Sequence, residues 1–272
     1  MAELKRLREA SGLSQEAVAG RLDWHPTKMM RIETGRTAPH PNDVRLMLDV
    51  YGITSEDQAA ALVKLARDAR QRGWWYSGRD VPPNRHDFYV GLESGAASIR
   101  DFALTLVPAL LQTQDYAHAL IQADPVNHTP DEVGRRAGVL MTRQGMLDRP
   151  SPPLLWAVLD ESAIRRAVGG PEVMRTQLEH LIAASGQGRA TIQVLPCRAV
   201  PHPGLAAPFT ILSFAGTAAP DTVYQETVGG SLYVDKPQET RLFATVFDHL
   251  CAVALSPAET RAMLRTAADK LT

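Results

Sequence analysis

The chain has 272 residues, 44% hydrophobic and 22% charged, the balance of a globular protein with room for one small domain and one larger one. A formal net charge of −1 excludes a broad basic coat, so affinity for a polyanion has to come from placed contacts or repeated copies. Cys197 and Cys251 lack metal-ligand spacing and fit a reducing cytoplasm, the longest apolar stretch (Phe102 to Leu111) is too short to span a bilayer, and MAELKRLREA reads as a charged helix rather than a secretory signal.

Glu3 to Ala10 forms the first expected helix, with Leu4 and Leu7 inward and Gly12 ending it. Ser14 is an N-cap, because its hydroxyl accepts from an orphan backbone N–H. Gln15 to Leu22 follows as a helix, with Ala17, Val18 and Leu22 giving its apolar spacing. Asp23 falls where the chain turns sharply and needs φ > 0, which Asp tolerates better than most residues. Pro26 suits the first position of a new helix. In that helix Met29 and Ile32 face inward, Thr27, Lys28 and Arg31 are left outside, and Gly35 supplies the stop. Leu13 to Arg36 is thus a helix-turn-helix, with a plain helical hairpin as the alternative. Residues 1–36 hold seven Lys and Arg against five acids, a modest +2. Pro41 opens a fourth helix through Val44, Leu46, Met47, Leu48 and Val50, closed at Gly52. Ser55-Glu56-Asp57 starts a fifth, through Ala61, Leu62, Leu65 and Ala69 to about Arg72.

The shared residues Leu13-Ser14-Gln15-Glu16, Ala19, Leu22, the turn at Asp23, and Arg31-Ile32-Glu33-Thr34-Gly35-Arg36 resemble the Xre type of DNA-binding domain, the group of the phage Cro and CI repressors. The resemblance implies a five-helix domain over residues 1–72 that binds double-stranded DNA. Its helix from Pro26 would enter the major groove, with Thr27, Lys28 and Arg31 at base edges and Gln15 and Arg36 on phosphates. Two positions depart from the pattern: many members carry Gly at Asp23, and Ser or Thr at His25. The missing hydroxyl at His25 predicts a weaker cap on the recognition helix.

Gly73-Trp74-Trp75-Tyr76 and the Pro82-Pro83-Asn84 turn mark the boundary to a domain spanning 73–272. The adjacent aromatics are read as pinning one domain against another, with a ligand platform as the alternative. Tyr89 to Leu111 is apolar but broken by glycines and Pro108. Thr113 caps a helix through Tyr116, Leu120 and Ile121. Thr129-Pro130-Asp131-Glu132 is a capping box for a helix with Val133, Ala137, Leu140, Met141 and Leu147 on one face. Leu154 to Leu159 is a continuous apolar run, expected to be a strand covered on both sides. A helix from Pro171 buries Val173, Met174, Leu178, Leu181 and Ile182. Strands follow at Thr191–Leu195, Phe209–Phe214, Thr222–Glu226 and Ser231–Val234. Pro237 opens a helix with Leu242, Val246, Phe247 and Leu250 inward, and Ser256-Pro257-Ala258-Glu259 is a capping box for the last one. The fold class is two-domain α+β: a five-helix domain, then a larger mixed α/β domain.

Several segments are similar to the second domain of the actinobacterial WhiJ-like, antitoxin-like regulators. They are Tyr89-Val90-Gly91-Leu92-Glu93, Val107 to Thr113, Leu155 to Glu161, Gly169 to Met174, Gln193 to Pro196, and His202-Pro203-Gly204. The resemblance implies a transcription factor, often paired with a very small protein encoded beside it, whose second domain has no assigned role. The order helix, strand, His202 loop, strand, helix also resembles one half of a phospholipase-D-like fold. An active member needs His-x-Lys, since His attacks phosphorus while Lys neutralises phosphate oxygens. Pro203 and Gly204 follow His202 here, so such a site would be dead.

Other chemistry is thin. Asp160-Glu161 is an acid/base couple or, by preference, a strand end meeting a helix start. Gly229-Gly230 is a turn without phosphate-loop spacing. No metal, cofactor or catalytic role is expected. The sequence points to a cytoplasmic, homodimeric DNA-binding regulator whose second domain takes a small protein partner or ligand. The alternative is an antitoxin whose main task is sequestering that partner, and a hydrolase with a regulatory head is a third.

Overall fold

Helices α1 (Ala2–Ala10), α2 (Gln15–Arg21), α3 (Pro26–Glu33), α4 (Pro41–Val50) and α5 (Glu56–Arg70) follow one another through the first part of the chain. The computed structural model describes residues 2–33, 39–70, 85–124, 129–199, 201–215, 220–227 and 230–271, and the chain divides near residue 80 into two compact units. The domain boundary expected at 72/73, the Trp74-Trp75-Tyr76 run, the Pro82-Pro83-Asn84 turn and the stop at Gly35 lie outside the described residues.

Apolar residues three and four apart put one stripe of each helix into the core of the first unit. Leu4 and Leu7, Val18 and Ala19, Met29 and Ile32, Val44, Met47 and Leu48, then Val63 and Ala66 close it together with Tyr51. Three expected core positions are corrected. Ala17 is exposed and Ala19 takes its place, because a seven-residue helix buries only a narrow stripe around Val18. Leu46 is exposed on α4, and on α5 Ala61 faces out while Val63 and Ala66 face in.

The second unit is built on a six-stranded sheet of order β3-β2-β1-β4-β5-β6. Its strands are β1 (Ser98–Ala103), β2 (Leu154–Asp160), β3 (Thr191–Leu195), β4 (Phe209–Ser213), β5 (Thr222–Thr227) and β6 (Gly230–Val234). Its helices are α6 (Arg85–Ser94), α7 (Gln114–Gln122), α8 (Pro130–Gln144), α9 (Glu161–Arg165), α10 (Pro171–Gly186), α11 (Pro237–Val253) and α12 (Pro257–Asp269). β1, β2 and β3 are parallel, so helical crossovers join them, α7 and α8 first and then α9 and α10. β4, β5 and β6 are antiparallel to their neighbours. Both capping boxes form, opening α8 and α12. The edge of β3 is plugged: Thr260 Oγ1 accepts from Val194 N–H at 2.9 Å, and Leu255 N–H donates to Val194 O at 2.9 Å.

One sheet face is apolar. Phe102, Val158, Phe209, Ile211 and Val223 pack with Phe247 and Leu250 of α11. The strand run Leu154 to Leu159 is covered on both sides only in its second half. Leu154 and Trp156, which share one face of β2, are 77% and 39% exposed, whereas Leu155 between them is buried on the other face. Leu242, expected inward, is instead 64% exposed on α11, whereas Phe247 and Leu250 are buried.

The other face is apolar around Ile99, Ala157, Leu159 and Leu212, with one polar patch set into it. Register places Asp101, Thr210 and Tyr224 side by side on β1, β4 and β5, on the side opposite Phe102. Thr210 Oγ1 donates to Asp101 Oδ2 at 3.3 Å. Above them Tyr89 stacks on Tyr224 with ring centroids 4.1 Å apart. Glu93 of α6 accepts from Arg143 of α8 through both carboxylate oxygens, with Arg143 Nη2 at 2.7 Å from Oε1. The guanidinium also lies 5.2 Å from the Tyr89 ring centroid. Arg143 is bonded to Glu93, and its charge reaches Asp101 only more weakly. Burial, and then the Glu93 charge, push the Asp101 carboxyl from its ordinary 3.8 up to about 7, against the pull of the Thr210 hydroxyl and of Arg143.

A carboxyl with a raised folded-state value holds its proton more tightly folded than unfolded. The second unit therefore loses stability as pH climbs from about 4 to about 7. At ~1.4 kcal/mol per pH unit the loss is ~4 kcal/mol at most, and less because part of Asp101 meets water. Asp101→Asn should flatten the change in melting temperature over that window relative to the parent. Parallel curves would show that Asp101 is not the group responsible.

Candidate nucleic-acid interface

The joint between α2 and α3 is set by local rules. Ser14 Oγ accepts from Ala17 N–H at 3.1 Å and starts α2. Asp23 ends it at φ 53, among the described residues the one non-glycine with positive φ. Trp24 N–H donates to Ala19 O at 2.8 Å and Asp23 N–H to Gly20 O at 3.4 Å, the pair of backbone bonds that closes a helix around a left-handed residue. Asp23 therefore does the work usually given to glycine. Pro26 opens α3, and the cap missing as a hydroxyl is supplied by an imidazole: His25 Nδ1 accepts from Thr27 N–H at 3.3 Å. The same device recurs at α4, where His40 Nδ1 accepts from Asn42 N–H at 3.2 Å ahead of Pro41.

A buried ion pair fixes the far end of α3. Arg8 Nε and Nη2 donate to Glu33 Oε1 and Oε2 at 2.6 and 3.0 Å, and Arg8 Nη1 donates to Leu13 O at 2.7 Å. Gln15 Nε2 adds a third bond to Glu33, at 2.6 Å to Oε2. One carboxylate thus ties α1, the loop before α2, the first residue of α2 and the last turn of α3. Burial, and then the Glu33 charge, push the nearby Tyr51 phenol up. Sequence reasoning missed this pair, although a signal was present. Glu33 lies four residues after Met29 and Arg8 four after Leu4, so each charge sits on the apolar stripe of its helix and calls for a partner.

The sequence-predicted DNA contacts divide into four groups. Pro26, Thr27 and Arg31 are exposed on α3. Lys28 is drawn sideways: its ammonium donates to Asp43 Oδ1 at 3.0 Å and lies 3.6 Å from the Trp24 ring centroid. Gln15 sits at the start of α2, oriented by Glu33. Arg36 lies outside the described residues.

In the second unit, Asp160 Oδ1 caps α9 by accepting from Ser162 N–H at 2.8 Å. Glu161 accepts from Cys197 N–H at 2.8 Å and from Arg165. Both acids thus do the work of a strand end meeting a helix start. His202 is buried beside Phe102, with no hydrogen bond to its Nδ1 among the described residues. Gly204 is needed there, because a Cβ would fall 2.6 Å from Phe102 Cε1. Among the described residues no cluster of three or more His, Cys, Asp or Glu is arranged to hold a metal ion. No single described helix is long and apolar enough to cross a membrane.

Residues 2–62 match the model of a helix-turn-helix domain, which covers the first four helices and the first half of α5 and points to DNA binding. Residues 87–266 match the model of a domain of unknown function, DUF5753, and this is most of the chain. The chain belongs to the DUF5753 family. No curated protein and no solved structure matches it. This DUF5753 protein accordingly carries a helix-turn-helix head before the six-stranded unit that its family model matches.

Removing one partner of a buried ion pair strands the other charge, at a cost of about 3–5 kcal/mol. Glu33→Ala should therefore lower the unfolding free energy of the first unit by that amount while the second unit keeps its own transition. Calorimetry on the full chain reads both, and an unchanged first transition would remove the ion pair from its structural role.

Proposed function

We propose that this DUF5753 protein is a sequence-specific transcriptional regulator of the Xre type that binds double-stranded DNA as a homodimer. The observation that carries the reading is the outward face of α3. Thr27 and Arg31 are exposed there, while Met29, Ile32 and the Glu33 ion pair hold the opposite side in the core. A short helix fixed at both ends, by the His25 cap and by Glu33, presents its first two turns rigidly to a major groove.

In this mechanism Arg31 pairs bidentately with a guanine edge and Thr27 makes a second base contact. Gln15 uses one amide N–H on Glu33 and gives the other to a phosphate, which sets the register of α2 on the backbone. Lys28, tied to Asp43, acts at the groove wall as a phosphate contact rather than at a base edge. Arg36 is assigned to a phosphate from its place after α3 in the sequence. Two copies are needed because the head carries a net charge of only +2 over residues 1–36 and reads a single half-site. Half-sites would lie about 34 Å apart or at a multiple of that.

The second unit supplies the dimer contact and takes a small protein partner or, failing that, a small molecule. On this reading the chain is a cytoplasmic regulator of WhiJ-like, antitoxin-like character without enzymatic activity of its own. Leu205, on the turn Pro203–Ala206 that packs against α11, and Leu242, on α11 itself, are 58% and 64% exposed and offer apolar surface for association.

Two outcomes are expected. Arg31→Ala should weaken specific binding by roughly 1–3 kcal/mol with the fold retained, as read by titration of the selected duplex. Equal affinity would take Arg31 off the base edge. Leu242→Asp should shift the protein from dimer to monomer in sedimentation at micromolar concentration, with the fold retained. A dimer that survives the change would move the interface elsewhere.

A further inference from the structure

The groove-facing side of α3 carries an apolar residue that the polar contacts leave unexplained. At about 100° per residue, the buried stripe of Met29, Ile32 and Glu33 leaves Thr27 and Arg31 pointing directly outward. Lys28 flanks them on one side and is occupied with Asp43 and Trp24. Met30 flanks them on the other and is 40% exposed. Its neighbour Met29 takes the inner position at 0% exposure, which leaves Met30 at the rim of the outer face. An unbranched thioether at the rim of a reading helix adds nothing to phosphate binding. It does match the one apolar group a major groove displays, the C5-methyl of thymine.

We infer that Met30 is a specificity-determining residue that reads a thymine methyl group beside the guanine taken by Arg31. The inference rests on the proposed DNA binding and adds to it the identity of a second base. Thr27 and Arg31 sit three and one positions from Met30, so the three side chains form one contiguous strip along the first two turns of α3. The strip carries a hydroxyl, a thioether and a guanidinium. Bidentate donors select guanine, and the thioether selects against cytosine and against any pyrimidine lacking the methyl.

The test uses the full chain and a duplex enriched by it from a random pool. Each thymine of the half-site is replaced in turn by deoxyuridine, which removes the methyl and nothing else. Burial of one such group is worth ~0.8 kcal/mol, or roughly fourfold in affinity. At one thymine per half-site the parent should lose about fourfold on the uracil duplex. Met30→Ala should bind the thymine duplex about fourfold more weakly than the parent and lose nothing further on the uracil duplex. Met30→Leu, which keeps an apolar side chain, should retain the parent's discrimination. If no thymine is sensitive, or if Met30→Ala pays the same uracil penalty as the parent, the inference is overturned while sequence-specific binding stands. A pool in which no sequence is enriched overturns the DNA-binding reading itself, and the inference with it.

Discussion

Glu33 accepts hydrogen bonds from Arg8 at two oxygens and from Gln15 at one of them, inside a small helical core with little else that is polar. Such a pair contributes less net stability than its geometry suggests, because desolvating both ions offsets much of their attraction. Its effect is on position. Arg8 holds Leu13 O as well, so the loop that leads into α2 is fixed by the guanidinium that fixes the end of α3. The spacing between the start of α2 and the outward face of α3 therefore rests on one carboxylate. That spacing is what a helix-turn-helix needs to set phosphate contacts and base contacts at once.

The second unit uses a buried ion pair differently. Glu93 and Arg143 join α6 to α8 over a polar patch of the sheet that carries Asp101, Thr210 and Tyr224, whereas the opposite face packs Phe102, Phe209 and Val223 against α11. One carboxylate is matched and the other is not. Asp101 consequently sits near its titration point at neutral pH, and the unit carries a polar layer whose charge changes in the physiological range. A domain kept at this size beside a short reading head is expected to bind something, and the proposed partner binding takes that as its ground.

What could be read from the sequence was what local rules decide. The N-cap at Ser14, the left-handed turn at Asp23, the two capping boxes and the strand run before Asp160 all follow from neighbouring residues and appear where expected. β1 was not legible, because Ser98 to Ala103 puts Arg100 toward Phe247 on one face and Asp101 into the polar layer on the other, which destroys any simple alternation. α6 was missed because Gly91 interrupts its pattern. In the candidate site the outward positions of Thr27 and Arg31 were legible from helical spacing alone. The tie of Lys28 to Asp43 was not, since the partners are 15 residues apart and on different helices. The Arg8–Glu33 pair, 25 residues apart, was hidden for the same reason.

Local turn chemistry orients α3 and a buried carboxylate holds it there, and on the proposed reading the exposed strip from Thr27 to Arg31 then meets the DNA. Hydrogen exchange of the full chain, with and without a duplex it has enriched, tests that account most directly. The account predicts slowed exchange at the starts of α2 and α3, the two helix ends that would face phosphate and groove. Protection confined to the second unit, with the amides around Gln15 and Thr27 unaffected by DNA, would contradict it.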